Sequence, residues 1–179
     1  MPSVVVDQWN GARQAVEHLI DLGHTNIAEI SGPLENFDAS IRHSSWRRCL
    51  ELNSLEPGLS VAGDFEVRSG YLGAKELLAK QRPFTALFVG NDRMALGAIR
   101  ALREAGLRVP EDVSVVGFDD IPEAAFFEPP LTTVRQDFEV LGKESVEYLV
   151  SLIEDDHTAV QQRVLYPELV IRQSTACLR

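Results

Sequence analysis

The 179-residue chain is short of the features that mark secreted, metal-bound and membrane proteins. It has only two cysteines, Cys49 and Cys177, and neither has a second Cys or a His at metal-ligand spacing. A disulfide framework and a zinc site are thereby disfavoured, and two reduced thiols in a cytoplasmic protein are expected. No apolar run approaches the roughly 18 residues of a membrane helix. The first seven residues also lack the basic segment and apolar stretch of a secretory signal. Positive charge is scarce too: 17 Lys and Arg stand against 27 Asp and Glu, a formal net charge of −10. A sequence-independent grip on phosphate backbones needs the opposite sign, so any DNA-reading module would lie outside this chain. Catalytic patterns are missing as well. His18, His24, His43 and His157 occur without a Glu or His at zinc spacing, and there is neither a Gly-x-Ser-x-Gly nor a phosphate-cradling Gly-x-x-x-x-Gly-Lys-Ser/Thr run. No activated nucleophile, metal or cofactor is therefore expected, and the chain reads as a non-enzyme.

What is present is ordinary globular composition, 45% hydrophobic and 25% charged, in a regular alternation of strand-length apolar runs and segments of helical period. Strands are expected at Ser3 to Val6, Asn26 to Ile30, Val61 to Phe65, Ala86 to Val89, Val113 to Val116 and Thr132 to Gln136. Two more follow, Val160 to Tyr166 and Leu169 to Ile171, divided by Pro167. Between them run helical patterns: Ala12 to Leu22 stopped by Gly23, a helix marked by Ile41, Trp46 and Leu50, and one capped by Ser69. Next comes a Met94 to Ala105 stripe stopped by Gly106, and last a helix with Phe138, Leu141, Ser145, Leu149 and Leu152 on its buried face. Pro122, Pro129 and Pro130 make Ile121 to Pro130 a loop with at most one helical turn. His24, just past a helix end, would favour the dipole when protonated. The pattern implies an α/β fold with a doubly wound parallel sheet.

In such sheets ligands bind beyond the carboxyl ends of the strands. The residues there are Ser31-Gly32-Pro33, Gly90-Asn91-Asp92 and Gly117-Phe118-Asp119-Asp120. Asn91, Asp119 and Arg42, with Phe65 or Phe138 as a flat apolar surface, would suit the paired hydroxyls and ring face of a neutral polyol. Each has a plainer role available. Asn91 and Asp92 could cap the following helix, Asp119 and Asp120 could be loop carboxylates, Arg42 a surface arginine, and both phenylalanines core.

Five blocks resemble the effector domain of LacI/GalR transcription regulators. They are Leu19-Ile-Asp-Leu-Gly-His-Thr-Asn-Ile-Ala, Gly90-Asn-Asp-Arg-Met-Ala-Leu-Gly-Ala, the Gly106 to Asp120 run, Pro129-Pro-Leu-Thr-Thr-Val-Arg-Gln-Asp and Glu168-Leu-Val-Ile-Arg-Gln-Ser-Thr. The resemblance runs from about Ser3 to Thr175. It implies a periplasmic-binding-protein-like fold of two α/β subdomains joined by three crossovers, near Asp7, Arg135 and Tyr166, with the effector between them. Residues 7–134 and 166–175 would form one nearly complete subdomain, and residues 1–6 and 135–165 a fragment of the other. Position by position, Arg42, Asn91 and Asp119 match the residues that grip hydroxyls, and Phe65, Gln136 and Phe138 those that close around the ring. Asp7 and Asp38 are further site candidates, offered as guesses. Substituting Arg42 or Asp119 should then weaken effector binding and leave stability almost unchanged.

The resemblance further implies a small-molecule effector, a sugar, and a homodimer through Leu96, Phe126 and Phe127. Operator DNA would be reached only through a helix-turn-helix head that these residues do not include, as in an N-terminally truncated regulator. A membrane partner is not implied, and the alternative is a solute-binding protein of a sugar transport system. With most of the first subdomain outside the chain, the Phe138 helix is expected to bury its apolar face on another copy or to fold back away from the family position.

Overall fold

A computed structural model describes residues 2–80, 82–154 and 159–178. His157 lies outside the described residues. The strands are β1 (Ser3–Val6), β2 (Ile27–Ser31), β3 (Ser60–Ala62), β4 (Ala86–Val89), β5 (Ser114–Asp119), β6 (Thr132–Arg135), β7 (Gln162–Leu165) and β8 (Glu168–Val170). The helices are α1 (Gln8–Asp21), α2 (Phe37–Leu52), α3 (Val67–Ala79), α4 (Asp92–Glu104) and α5 (Phe138–Glu154), with one 3-10 turn at Pro122–Phe126. Six strands form one sheet in the order β3-β2-β4-β5-β6-β8, parallel except for β8, which pairs antiparallel with β6 at the edge. The chain runs outward from β2 to β3 and returns to β4 on the other side. This places the switch point, where open α/β sheets bind ligands, between β2 and β4.

Alternation along each strand feeds two cores. Ala28, Ile30, Leu87, Val89 and Val115 pack with α3 and α4 on one face, while Ile27, Ala86, Phe88, Val116 and Phe118 pack with α1 and α2 on the other. Both faces are covered, which is why these strands are continuously apolar. The helix ends follow local chemistry: Asp7, Asn36 and Asn91 accept N–H groups from Asn10, Ala39 and Met94. Gly23 and Gly106 adopt the left-handed φ of +89° and +80° that stops α1 and α4. Ser69 is not a cap; α3 already begins at Val67, and the Ser69 hydroxyl instead accepts from Asp64 N–H at 3.0 Å.

The remaining strands, β1 and β7, form a separate two-stranded parallel sheet covered on one side by α5. Three connections join the two sheets: β1 to α1 at Asp7, β6 to α5 at Gln136 and Asp137, and β7 to β8 at Tyr166 and Pro167. The face expected for α5 is met in part, at Leu141 and Leu152. Its inward side is Leu141, Tyr148, Ser151 and Leu152, and Tyr148 is anchored by donating to the Ala159 and Gln161 carbonyls. Phe138 and Leu149, each 57% exposed, belong to a second apolar stripe with Val146 and Ile153 that faces out. Nor does the helix fold back: it stays on the short sheet whose strand order it serves.

Two histidines acquire opposite characters. His24 is buried, held by Thr85, Ser114 and the Ala176 carbonyl, and desolvation lowers its pKa, so it is a neutral core group rather than a cation at a helix end. His43 donates from Nδ1 to the fully buried Glu29 carboxylate at 2.6 Å, while Ser60 Oγ donates to the same oxygen at 2.7 Å. The hydrogen bond with Glu29 raises the His43 pKa. Protonated His43 therefore stabilises the fold fully below the unfolded value of about 6.5, and the contribution is lost as pH rises through the elevated folded value. The gap in urea midpoint between wild type and His43→Gln should be widest near pH 6 and shrink toward about pH 9. A gap constant over that range would show that the pair carries no proton-linked stability.

Candidate functional site

A cavity of about 410 Å3 opens beside the switch point, lined by Val4, Val5, Val6, Gln8, Asn36, Asp38, Arg42, Phe65, Asn91, Asp119, Gln136, Phe138 and Leu141. All six residues expected around an effector, Arg42, Phe65, Asn91, Asp119, Gln136 and Phe138, thus meet at one place, coming from four helices and loops and from the ends of β5 and β6. Its walls come from both sheets.

Arg42 is the centre of this arrangement and is not a surface residue, being 6% exposed. It lies on the second turn of α2 with its guanidinium 3.8 Å above the Phe118 ring. Its Nη1 donates to the Gly90 carbonyl at 2.6 Å and its Nε to Gln8 Oε1 at 2.8 Å. Gln8 Nε2 in turn donates to Gln136 Oε1 at 2.7 Å, Gln136 Nε2 donates to Asp119 Oδ1 at 2.7 Å, and that oxygen stands 3.7 Å from Arg42 Nη1. Four side chains therefore close a ring. Burial pushes the Asp119 carboxyl above its ordinary pKa, and the Arg42 charge and the Gln136 amide oppose that rise. Burial likewise lowers the Arg42 pKa against the pull of Asp119, Asp38 and Asp92. Because two of the five guanidinium N–H groups satisfy buried acceptors on Gly90 and Gln8, its loss should disturb the fold, contrary to the expectation of unchanged stability.

Asn91 is a helix cap that also stands in the cavity wall. Its Oδ1 caps α4 through Met94 N–H at 2.9 Å, its Nδ2 donates to the Phe65 carbonyl at 3.0 Å, and it still lines the cavity. Strain is concentrated here. Phe65, Asp119 and Asp120 adopt φ of +72°, +112° and +54°, conformations that non-glycine residues rarely hold and that cluster at functional sites. Gly32 admits the turned Phe65 ring, since a Cβ there would lie 2.3 Å from Phe65 Cε1.

Behind the cavity two further carboxylates tie the loops down. Asp92 accepts from Thr133 Oγ1 and from Ile121 N–H at 2.9 Å, and desolvation raises its pKa to about 7. Asp120 accepts from Arg135 Nε and Arg172 Nη2, both at 2.7 Å, and Arg135 also donates to Glu168 at 2.9 Å. Gln8 was missed from the sequence although it obeys the strand-end rule, standing two residues beyond β1. Asp38 lines the cavity, whereas Asp7 is an α1 cap. The surface expected for self-association divides. Leu96 and Phe126 are 41% and 87% exposed, but Phe127 is 8% exposed and packs in the α3–α4 core, because alternate side chains at the end of the 3-10 turn point to opposite sides.

Residues 16–175 match the model of the periplasmic binding protein-like domain. The chain is 40% identical over 173 residues to the lactose operon repressor of Escherichia coli K12, covering 97% of this chain and 48% of that protein. It is 42% identical over 171 residues to the transcriptional repressor PurR of Haemophilus influenzae Rd, covering 93% of this chain and 51% of that protein. A solved dimeric Lac repressor with an 11-residue C-terminal deletion superposes with a TM-score of 0.95 at 39% identity, over 99% of this chain and 65% of that one. The fold, the site at the strand ends and these matches place the chain in the periplasmic binding protein-like domain family, among the LacI/GalR regulators. It spans about half the length of the curated relatives it matches.

Proposed function

We propose that this chain is the effector-sensing part of a cytoplasmic DNA-binding transcription regulator, and that its effector is a neutral sugar. The observation that carries the reading is the Arg42–Gln8–Gln136–Asp119 ring, which presents charged and amide groups to one cavity and includes one residue in a sheet connection, Gln136, and one just beyond another, Gln8. Paired hydroxyls can both donate to Asp119 and accept from Arg42 and Gln136, and Phe65 and Phe138 offer apolar faces for the ring. No cofactor is needed. Residues 7–134 with 166–175 and residues 1–6 with 135–165 act as the two bodies between which the sugar binds. Ligand that holds them in one relation biases the regulator toward one state, and DNA affinity follows. Operator DNA is contacted through a helix-turn-helix head that the described residues do not contain. A transport solute-binding protein shares this fold, but the relatives matched here are named repressors.

A thermal-shift screen of sugars on the intact regulator tests this. A ligand at about 100 times its dissociation constant should add about 2.7 kcal/mol of stability and change operator affinity. Binding that leaves operator affinity unchanged would favour transport, and a response to purines alone would discard the sugar.

The regulator is also proposed to pair through Leu96 on α4 and Phe126 at the end of the 3-10 turn. Phe126→Asp should leave the fold intact and shift the mass measured by light scattering from dimer to monomer. Phe127→Asp should instead unfold the chain by placing a charge in the core. A Phe126→Asp protein that remains dimeric would remove this surface from the interface.

A further inference from the structure

We propose, resting on the effector reading above, that Asp92 is a positioning residue for the effector site: its ionised carboxylate holds the Asp119–Asp120 turn in the binding form, so that effector uptake releases a proton from Asp92. Asp92 opens α4 and is fully buried, and it does not stand in the wall of the cavity around Arg42. Its two oxygens are divided between elements. Oδ1 accepts from Thr133 Oγ1 on β6, and Oδ2 accepts at 2.9 Å from the N–H of Ile121, the residue that follows the Asp119–Asp120 pair. One carboxylate thus ties the start of α4 to β6 and to the loop that leaves β5. A Cβ on Gly117 would collide with Oδ1, so β5 makes room for the carboxylate by carrying no side chain at that point.

The tie acts on strained backbone. Asp119 and Asp120 hold φ of +112° and +54°, conformations that persist where the surroundings over-determine them. Two sets of bonds fix the turn from its far side: Arg135 and Arg172 hold the Asp120 carboxylate, and Asp92 holds the Ile121 amide. Asp119 then faces the cavity, bonded to Gln136 Nε2. Release of Ile121 would free the turn to relax out of the left-handed region and carry the Asp119 carboxylate away from the hydroxyls it is placed to meet.

The surroundings of Asp92 poise it between two states. Burial pushes its carboxyl up to about 7, Thr133 and the Ile121 amide pull it down, and the like charges of Asp119 and Asp120 oppose its ionisation. The N-terminal end of α4 favours the ionised form. Arg42 on α2 senses its charge without a hydrogen bond between them, and the groups that β5 and β6 turn toward it, Gly117 and Thr133, are uncharged. An ionised carboxylate accepts on both oxygens, whereas protonation turns one oxygen into a donor that competes with Thr133 or with the Ile121 N–H. Sugar hydroxyls that donate to Asp119 draw off the charge that opposes ionisation of Asp92. Occupancy and ionisation therefore favour each other, and by reciprocity affinity rises as Asp92 loses its proton.

Calorimetry on the intact regulator with glucose, galactose, ribose, lactose, maltose and cellobiose, run in buffers of different ionisation enthalpy, tests the proposal. A sugar that binds should do so about three- to tenfold more tightly at about pH 8 than at about pH 6. The buffer comparison should report net proton release near neutral pH. Asp92→Asn keeps the shape of the side chain and can accept from Ile121 N–H while donating to Thr133, so the sugar should still bind, with the pH dependence and the proton release both gone. Thr133→Val removes a bond that favours the ionised form and should move the rise in affinity to higher pH; this variant decides the matter if Asp92→Asn does not fold. Wild-type affinity that is the same at both pH values overturns the proposal while sugar sensing stands. So does a pH dependence that survives in folded Asp92→Asn, or a Thr133→Val profile identical to wild type. If none of these sugars binds, the effector reading fails and this proposal with it.

Discussion

Replacing Gly97 with alanine is expected to lower stability by about 3 kcal/mol, at the upper end for overpacking a close helix contact. Gly97 on α4 and Gly70 on α3 face each other's helix backbones. A Cβ on Gly97 would lie 2.0 Å from the Val67 carbonyl oxygen and 2.7 Å from Tyr71 N, and one on Gly70 would lie 2.0 Å from the Met94 oxygen. Ordinary contact begins at 3.4 Å, and rigid backbone cannot swing aside as a side chain would. The two helices must separate, opening the core that Ala74, Leu77, Met94 and Ala98 fill between them and the sheet. Helix propensity alone would favour alanine, and Gly142 on α5 supplies the control: nothing lies within 4 Å of its added Cβ, so Gly142→Ala should gain about 0.8 kcal/mol. Urea midpoints followed by far-UV circular dichroism read both changes. The same substitution should move them in opposite directions, and a Gly97→Ala midpoint at or above wild type would show that α3 and α4 are not packed backbone to backbone.

The strands and the doubly wound order were legible because both faces of the central sheet are covered, so Ala86 to Val89 and the run into Val116 are apolar without interruption. Glycine stops after α1 and α4 were legible for an equally local reason, since each needs a left-handed residue. What escaped depends on what lies across the fold. Resemblance named Arg42 as a site residue, but its burial was not legible: on its own helix it looks like a surface arginine, and the Gly90 carbonyl, Gln8, Asp119 and the Phe118 ring, all from distant parts of the chain, make that burial tolerable. The inward side of α5 could not be chosen because the helix carries two apolar stripes, and the small sheet takes the one that includes Tyr148. Phe126 and Phe127 are adjacent and chemically alike, so their opposite fates are set by the direction of a 3-10 turn and not by residue type.

The carboxylates behind the cavity suggest how occupancy would reach the sheet connections. Asp119 and Asp120 are consecutive residues with left-handed backbones, one turned toward the cavity and the other toward Arg135 on β6 and Arg172 beyond β8. Ligand that draws on Asp119 pulls on a strained pair whose second member holds two of the three connections through Arg135 and its partner Glu168. A rigid, doubly bonded carboxylate transmits such a shift better than a solvated one would.

Arg42→Ala is expected to remove effector binding and stability together. The affinity loss in the intact regulator should be about 1.5 to 3 kcal/mol, the range for hydrogen bonds to a charged group. The stability loss should be about 3 kcal/mol, as for breaking one side of a buried ion pair, because the Gly90 carbonyl and Gln8 lose their donor and Asp119 its countercharge. The pH dependence identifies the cause. Asp119 is already raised by burial in the folded state, and without Arg42 it should rise further, so protonation favours the folded variant. A group with a raised carboxyl pKa loses folded stability as pH climbs from its unfolded value through its folded one, and the variant travels further along that path. The gap in urea midpoint between wild type and Arg42→Ala should therefore be larger at about pH 8 than at about pH 5. Arg42→Lys separates the two effects: it keeps a charge beside Asp119 but loses the planar fork, so stability should return further than affinity does. Unchanged affinity in a folded Arg42→Ala protein would take the arginine out of the effector site. A midpoint gap that does not vary with pH would mean that Asp119 is not the group its charge controls.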